Sequence, residues 1–97
     1  MGLMRAILSS SKLSGASLAR ADLSRSRLDF ATLTGADLTD ANLSGAELWG
    51  ADLTGAQVTN ADVSNADVSG AKLRKLIGLD AVRNLDKLVN ADRALRE

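Results

Sequence analysis

The sequence predicts an all-β solenoid, and three observations support this fold class. The stretch from residue 31 to 56, ATLTGADLTDANLSGAELWGADLTGA, places an alanine and a leucine two residues apart and repeats that pair every five residues. This period fits neither a long helix nor a long strand. Aromatic residues make up only 2% of the 97 residues, so the core must be built from Ala, Leu and Val. Tandem repetition of this kind is typical of a chain whose successive turns bury one another.

The five-residue period excludes regular helices and strands on geometric grounds. In an α-helix, five residues advance by about 500°, so leucines at this spacing would scatter around the cylinder. In a straight strand, an odd spacing would send successive leucines to opposite faces. The pattern is satisfied if each unit contributes one short side of a closed coil, with both apolar positions facing the axis.

Fourteen consecutive units, from Ala6 to Lys75, follow the pattern A-(D/N)-L-x-x. The first position is Ala in all units except those that begin at Ser11 and Ser26. The third position is Leu, or Val in the units containing Val58, Val63 and Val68. This part of the sequence resembles the pentapeptide-repeat family, and units such as ADLTD, ANLSG and ADLTG are close to its consensus.

The resemblance implies a right-handed quadrilateral β-helix with four units per coil, hence about 3.5 coils over residues 6–75. Ala and Leu would point inward and the other three positions outward. We therefore divide the chain into a lead-in at residues 1–5, a β-solenoid at residues 6–75 and a C-terminal cap at residues 76–97. Six glycines and two asparagines at the fifth position predict a turn with an unusual backbone angle.

The C-terminal segment LIGLDAVRNLDKLVNADRALRE breaks the five-residue period. Its apolar residues at spacings of three and four predict an amphipathic α-helix, or two short ones, that covers the last coil. Some members of the resembling family dimerise through such a cap. A dimer contact of this chain would use four apolar residues of the segment: Leu85, Leu88, Val89 and Leu95.

Composition argues against catalysis. The chain has no cysteine, histidine or tyrosine, so the commonest general base, metal ligand and nucleophile are absent. We expect no enzymatic activity, no catalytic residues, no metal site and no cofactor. No run of residues approaches membrane-spanning length, and the short apolar start does not resemble a signal peptide. The expectation is a bacterial, cytoplasmic protein that does not bind a membrane.

Charge is balanced overall and uneven along the chain. Twelve basic residues match twelve acidic ones, which argues against nucleic-acid binding. Up to Arg27 there are five basic residues and one acidic residue, whereas residues 28–71 contain seven acidic residues and no basic one. We call residues 28–71 the acidic centre.

Sorting outward positions by coil places the two aromatic residues together. Positions four units apart should stack, so Phe30 and Trp49 fall on one side of the solenoid in adjacent coils. Rings on an otherwise polar surface either anchor a partner or lie over neighbouring coils. The candidate partner-binding residues are Phe30 and Trp49 with Glu47 and Asp29 beside them, and Arg27 is expected to pair with Glu47.

Two functions follow from these expectations. The first is a non-enzymatic interaction or scaffold module that presents side chains to a protein partner and forms a homodimer through its cap. The second is implied by the resemblance: some pentapeptide-repeat proteins mimic DNA and bind DNA gyrase or topoisomerase, giving quinolone resistance. The acidic centre favours the second function, whereas the zero net charge and the short solenoid argue against it.

Overall fold

The computed structural model describes residues 2–94, which wind into a four-sided parallel β-coil. Parallel bridges join residues that are four units apart, from Gly2 with Asp22 to Gln57 with Ile77. Because each unit has five residues, four units complete one coil. The winding comprises four coils and half of a fifth, and each side contributes a single bridge position rather than a long strand.

The core is a column of aliphatic side chains along the axis, as the five-residue pattern predicts. First-position alanines and third-position leucines or valines are buried from Leu18 to Ala71, and Leu38 is completely inaccessible. Ser26 replaces an alanine in this column and is also fully buried. Its hydroxyl donates a hydrogen bond to the Leu23 carbonyl at 2.6 Å, which avoids an unpaired polar group in the core.

Each corner is a β-turn whose third residue has positive φ. The amide of a first-position residue donates to the third-position carbonyl of the preceding unit, as in Ala41 to Leu38 at 3.0 Å. The fifth position between them lies in the left-handed region, with φ of 66° at Gly35 and 60° at Asp40. Glycine and asparagine are favoured there because most side chains pay a conformational cost at this angle.

A local hydrogen bond explains why Asp or Asn is preferred at the second position of each unit. Its Oδ1 accepts a hydrogen bond from the amide two residues later, as in Asp37 with Thr39 and Asn42 with Ser44, both at 3.0 Å. Such Asx turns fix the entry into the corner. The repeat therefore specifies both the inward packing and the local geometry of the turn.

The N-terminal residues belong to the coil rather than to a separate lead-in. Gly2 forms a parallel bridge with Asp22, and the Arg5 amide donates to the Ser24 carbonyl at 3.0 Å. Arg5 also has the positive φ of a fifth-position residue, 61°. Residues 2–5 thus form most of one more unit, which the sequence conceals because it lacks the usual alanine and the Asp or Asn that follows it.

The prediction of a C-terminal α-helical cap is wrong for the residues that the structure describes. Residues 76–94 continue the winding in units of six residues, with bridges from Arg83 to Asp62 and from Val89 to Asp67. Each unit contains one turn of 3-10 helix, at Leu79–Ala81, Leu85–Lys87 and Ala91–Arg93. Across residues 2–94, no helix has the length and apolar character needed to cross a membrane.

The six-residue units turn their corners with a different backbone geometry from the five-residue ones. A left-handed residue precedes each 3-10 turn, namely Gly78, Asn84 and Asn90. The side-chain amides of Asn84 and Asn90 donate to Asp62 and Asp67 in the preceding coil, at 2.9 and 3.1 Å. The extra residue in each side therefore enlarges the last coil while side-chain hydrogen bonds hold it to the regular part.

Candidate interaction surface

One side of the solenoid combines both aromatic residues with a column of charged and apolar side chains. It consists of residues 6–10, 26–30, 46–50, 66–70 and 89–93, which stack through the bridges Ile7–Arg27, Arg27–Glu47, Glu47–Asp67 and Asp67–Val89. We call it the aromatic side. The regular repeat sets the stacking, since every outward side chain lies above its equivalent in the preceding coil.

Phe30 and Trp49 form an edge-to-face pair on this side. Their ring centroids are 5.1 Å apart and the ring planes meet at 84°. Phe30 is 58% exposed, and its ring leans over the next coil, where a Cβ added to Gly50 would lie 2.5 Å from its Cε1 atom. The sequence left open whether these rings anchor a partner or lie over neighbouring coils. The structure shows Phe30 covering the next coil with most of its surface still in solvent.

The charged residues beside the rings have two different environments. The Arg27 Nε lies 3.6 Å from a Glu47 carboxylate oxygen, and both side chains are about half exposed. This confirms the predicted ion pair between neighbouring coils. Its contribution to stability is at most about 1 kcal/mol because solvent screens it.

Asp29 is not available to a partner, contrary to its place in the predicted binding set. It is only 4% exposed, accepts a hydrogen bond from the Ser9 hydroxyl at 2.7 Å and lies 3.6 Å from the Arg27 Nε. A buried carboxylate has to be paired, and these two groups pair it. Asp29 therefore positions Arg27 and links the first two coils, while Glu47 remains at the surface.

The aromatic side presents rings, apolar side chains and charges to solvent. Its accessible groups are the exposed Phe30 ring, the partly buried Trp49 ring, the apolar side chains of Ile7 and Val89, an ion pair and small polar side chains. Among residues 2–94, no group of three or more acidic residues is close enough to hold a metal ion. Accessible aromatic rings beside partly exposed charges are the composition that protein interfaces favour.

Comparison with known families supports the interpretation of the repeat. The family described as Pentapeptide repeats matches residues 3–40 and 36–74, which together cover most of the chain. The chain is a pentapeptide repeat protein. Members of this family form right-handed quadrilateral β-helices, in agreement with the four-unit coil described above.

Three solved pentapeptide repeat proteins resemble this one. One from Nostoc Pcc 7120 has 27% identity and a TM-score of 0.65, with 99% of this chain and 80% of that chain covered. A second, Rfr23 from the cyanobacterium Cyanothece 51142, has 27% identity, a TM-score of 0.48 and coverages of 94% and 64%. A third, from the thylakoid lumen of Arabidopsis thaliana, has 35% identity, a TM-score of 0.38 and coverages of 68% and 49%. The search of curated proteins found no match.

In this pentapeptide repeat protein, the residues predicted to form a dimer contact do not share one surface. Leu85 and Leu88 line an open hollow at the last coil with a volume of about 260 Å³, and Leu85 is itself 40% exposed. Val89 points outward on the aromatic side and is 40% exposed. Leu95 lies outside the described residues. Since no helix in residues 2–94 presents these residues as a stripe, dimerisation through the C-terminal end stays a prediction.

Hydrogen bonds lower the pKa of several second-position aspartates. The Thr54 hydroxyl donates to Asp52 at 2.6 Å and lowers the pKa of that carboxyl. The Asn84 amide, at 2.9 Å, lowers the pKa of Asp62. Each bond favours the charged form of the acceptor. The Asp52 carboxylate therefore holds its own turn in its charged form.

The repeat register places Ile7 on the aromatic side, but sequence reasoning did not connect Val89 to it. Ile7 is 75% exposed at a second position that polar residues usually occupy. Val89 joins the same column because the last units have six residues, which aligns it with Asp67. A six-residue period recognised in the C-terminal segment would have revealed this relation.

Proposed function

We propose that this protein is a non-enzymatic interaction module that uses the aromatic side to bind a protein partner. The observation that supports the proposal is the edge-to-face pair of Phe30 and Trp49 on an outward side of the solenoid. A partner that covers these rings would remove aromatic surface from water without any rearrangement of the backbone. Binding to a rigid, preformed surface has a small entropic cost.

A paired set of variants tests this proposal. Phe30→Ser and Trp49→Ser each introduce a serine that already occurs at the stacked position of another coil. Ser10 is the equivalent of Phe30, and Ser69 is the equivalent of Trp49. The double variant is therefore expected to keep its fold and to lose binding. The control is Thr39→Ser, an outward substitution on another side.

Affinity capture followed by quantitative mass spectrometry provides the measurement. Proteins retained by the wild type and by the Thr39→Ser control should be lost with the double variant. Retention of the same proteins by all three would show that the rings do not carry binding.

A second function, mimicry of DNA towards gyrase or topoisomerase, is favoured by one observation. The acidic centre carries seven acidic residues and no basic one. A negative surface of this kind attracts basic clefts. A supercoiling assay with purified gyrase tests it, and no effect at high micromolar concentrations of this protein would exclude it.

A further inference from the structure

The second-position column of the aromatic side has apolar residues at both ends and charged residues between them. From the first to the fifth coil it contains Ile7, Arg27, Glu47, Asp67 and Val89. The two ends are apolar and exposed, at 75% for Ile7 and 40% for Val89. The second and fourth members carry opposite charges, and the third lies at the middle of the side.

This order is complementary to itself under a two-fold rotation. Suppose that two copies pack face to face with their solenoid axes antiparallel and that the two-fold axis passes through the third coil. Each column then lies against the same column of the other copy, running in the opposite direction. Ile7 then faces Val89, and Arg27 faces Asp67. Each of these contacts forms twice, as an isologous interface requires. Only Glu47 meets its own copy, and each Glu47 is already paired with Arg27 of the same chain at 3.6 Å.

The rings fit the same arrangement. Trp49 lies on the third coil, and the ring of Phe30 leans from the second coil toward it. The next two corner positions are Gly50 and Gly70, which have no side chain to cover the Phe30 ring from the same molecule. Two copies related by the rotation would bring four rings together around the axis, where packed aromatics contribute most to an interface.

We propose that the partner of the aromatic side is a second copy of this chain, bound antiparallel and face to face. This inference rests on the proposed function, because it names the occupant of the same surface. It differs from a dimer through the C-terminal end, which would use neither the rings nor Ile7. The principal dimensions of 29 × 24 × 23 Å limit one side to the size class of weak, reversible interfaces.

Cysteine cross-linking tests the orientation, and the native chain is well suited to it because it has no cysteine. Ile7 and Val89 are four coil spacings apart, roughly 19 Å, so cysteines at these two positions cannot join within one molecule. In the antiparallel dimer they face each other. The double variant Ile7→Cys/Val89→Cys should therefore form covalent dimers roughly tenfold or more faster than either single variant, because the interface raises the local thiol concentration.

The cross-linking outcomes separate the alternatives. A rate for Ile7→Cys alone that equals the rate of the double variant would overturn the antiparallel arrangement. Equal slow rates for the double variant and both single variants would overturn the dimer itself.

Sedimentation equilibrium provides the second test and separates this inference from the proposed function. The average mass of the wild type should rise above 10.1 kDa with concentration, whereas Phe30→Ser/Trp49→Ser should remain monomeric. Thr39→Ser, on another side, should behave as the wild type. A wild type that stays monomeric up to about 1 mM would overturn the inference. The capture experiment would still decide whether the rings bind a different protein.

Discussion

Replacing Gly50 with alanine tests how Phe30 is held against the solenoid. Gly50 has φ of 70°, and a Cβ at this position would lie 2.5 Å from the Phe30 Cε1 atom. Gly55 is a matched control with φ of 72°, where a Cβ would lie 3.9 Å from its nearest neighbour, the Gly35 backbone nitrogen. The two substitutions therefore share the backbone cost and differ in the contact with the ring.

The expected losses of stability follow from the backbone cost and from the contact with the ring. An alanine in the left-handed region costs about 1–2 kcal/mol, and this applies to both positions. At Gly50 the Phe30 ring must also move away, which removes the edge-to-face contact with Trp49. Such a contact contributes about 0.5–1.5 kcal/mol. Gly50→Ala should therefore lower the free energy of unfolding by about 0.5–1.5 kcal/mol more than Gly55→Ala.

Urea denaturation followed by circular dichroism measures the difference, with Phe30→Ala as a second background. The excess cost of Gly50→Ala should disappear when Phe30 is already alanine, because no ring remains to be displaced. If the two glycine substitutions cost the same in the wild type, or if the excess persists without Phe30, the ring does not lie over Gly50.

Three further predictions concern the core, the last coil and the turns. Leu38→Ala should cost about 2–5 kcal/mol in urea denaturation, and Leu3→Ala, at the less buried first coil, clearly less. Gly78→Ala should destabilise more than Gly15→Ala, since its Cβ would lie 2.9 Å from backbone whereas Gly15 has open space. Because hydrogen bonds lower the pKa of Asp52, this carboxylate stabilises the folded protein at pH values above the ordinary carboxyl pKa. This stabilisation is lost as the pH falls through the pKa that Asp52 has in the folded state. Thermal melting between about pH 5 and pH 2 should thus be less pH-dependent in Asp52→Asn, and equal pH dependence would contradict this role.

The regular part of the fold was predictable because the repeat leaves one arrangement that buries its apolar residues. Leu38 and Ala41 both have to face inward, and a coil that turns once per unit achieves this for every unit. The same register predicted the stacking of Arg27 with Glu47 and of Phe30 near Trp49. Local spacing and coil stacking were therefore sufficient to place the rings and the ion pair on one side.

The C-terminal segment was misinterpreted because spacings of three and four were both counted as helical. The apolar positions that follow Lys75 recur at every third residue: Leu76, Leu79, Val82, Leu85, Leu88, Ala91 and Ala94. Three residues advance an α-helix by about 300°, so these positions would spread around the whole helix. Gly78, Asn84 and Asn90, spaced by six, were the available signal, since each takes a left-handed backbone angle just before a turn.

The environment of Asp29 was beyond sequence reasoning for a different reason. The repeat correctly places it at an outward position, but its burial depends on neighbours in adjacent coils and on the same coil. The Ser9 hydroxyl and the Arg27 guanidinium close over the carboxylate. The position of a residue in the repeat gives its direction, whereas burial at the surface depends on the size and charge of neighbouring side chains.

The most direct test of the four-sided winding is the register between adjacent coils. Stacked positions such as Ser44 and Ser64 should be about 4.8 Å apart, within the range that a disulfide can span. The pair Ser44→Cys/Ser64→Cys should form an intramolecular disulfide on mild oxidation. The control pair Ser44→Cys/Thr59→Cys, which is closer in sequence but lies on two different sides, should not. A disulfide in the control pair, or none in the first, would contradict the winding.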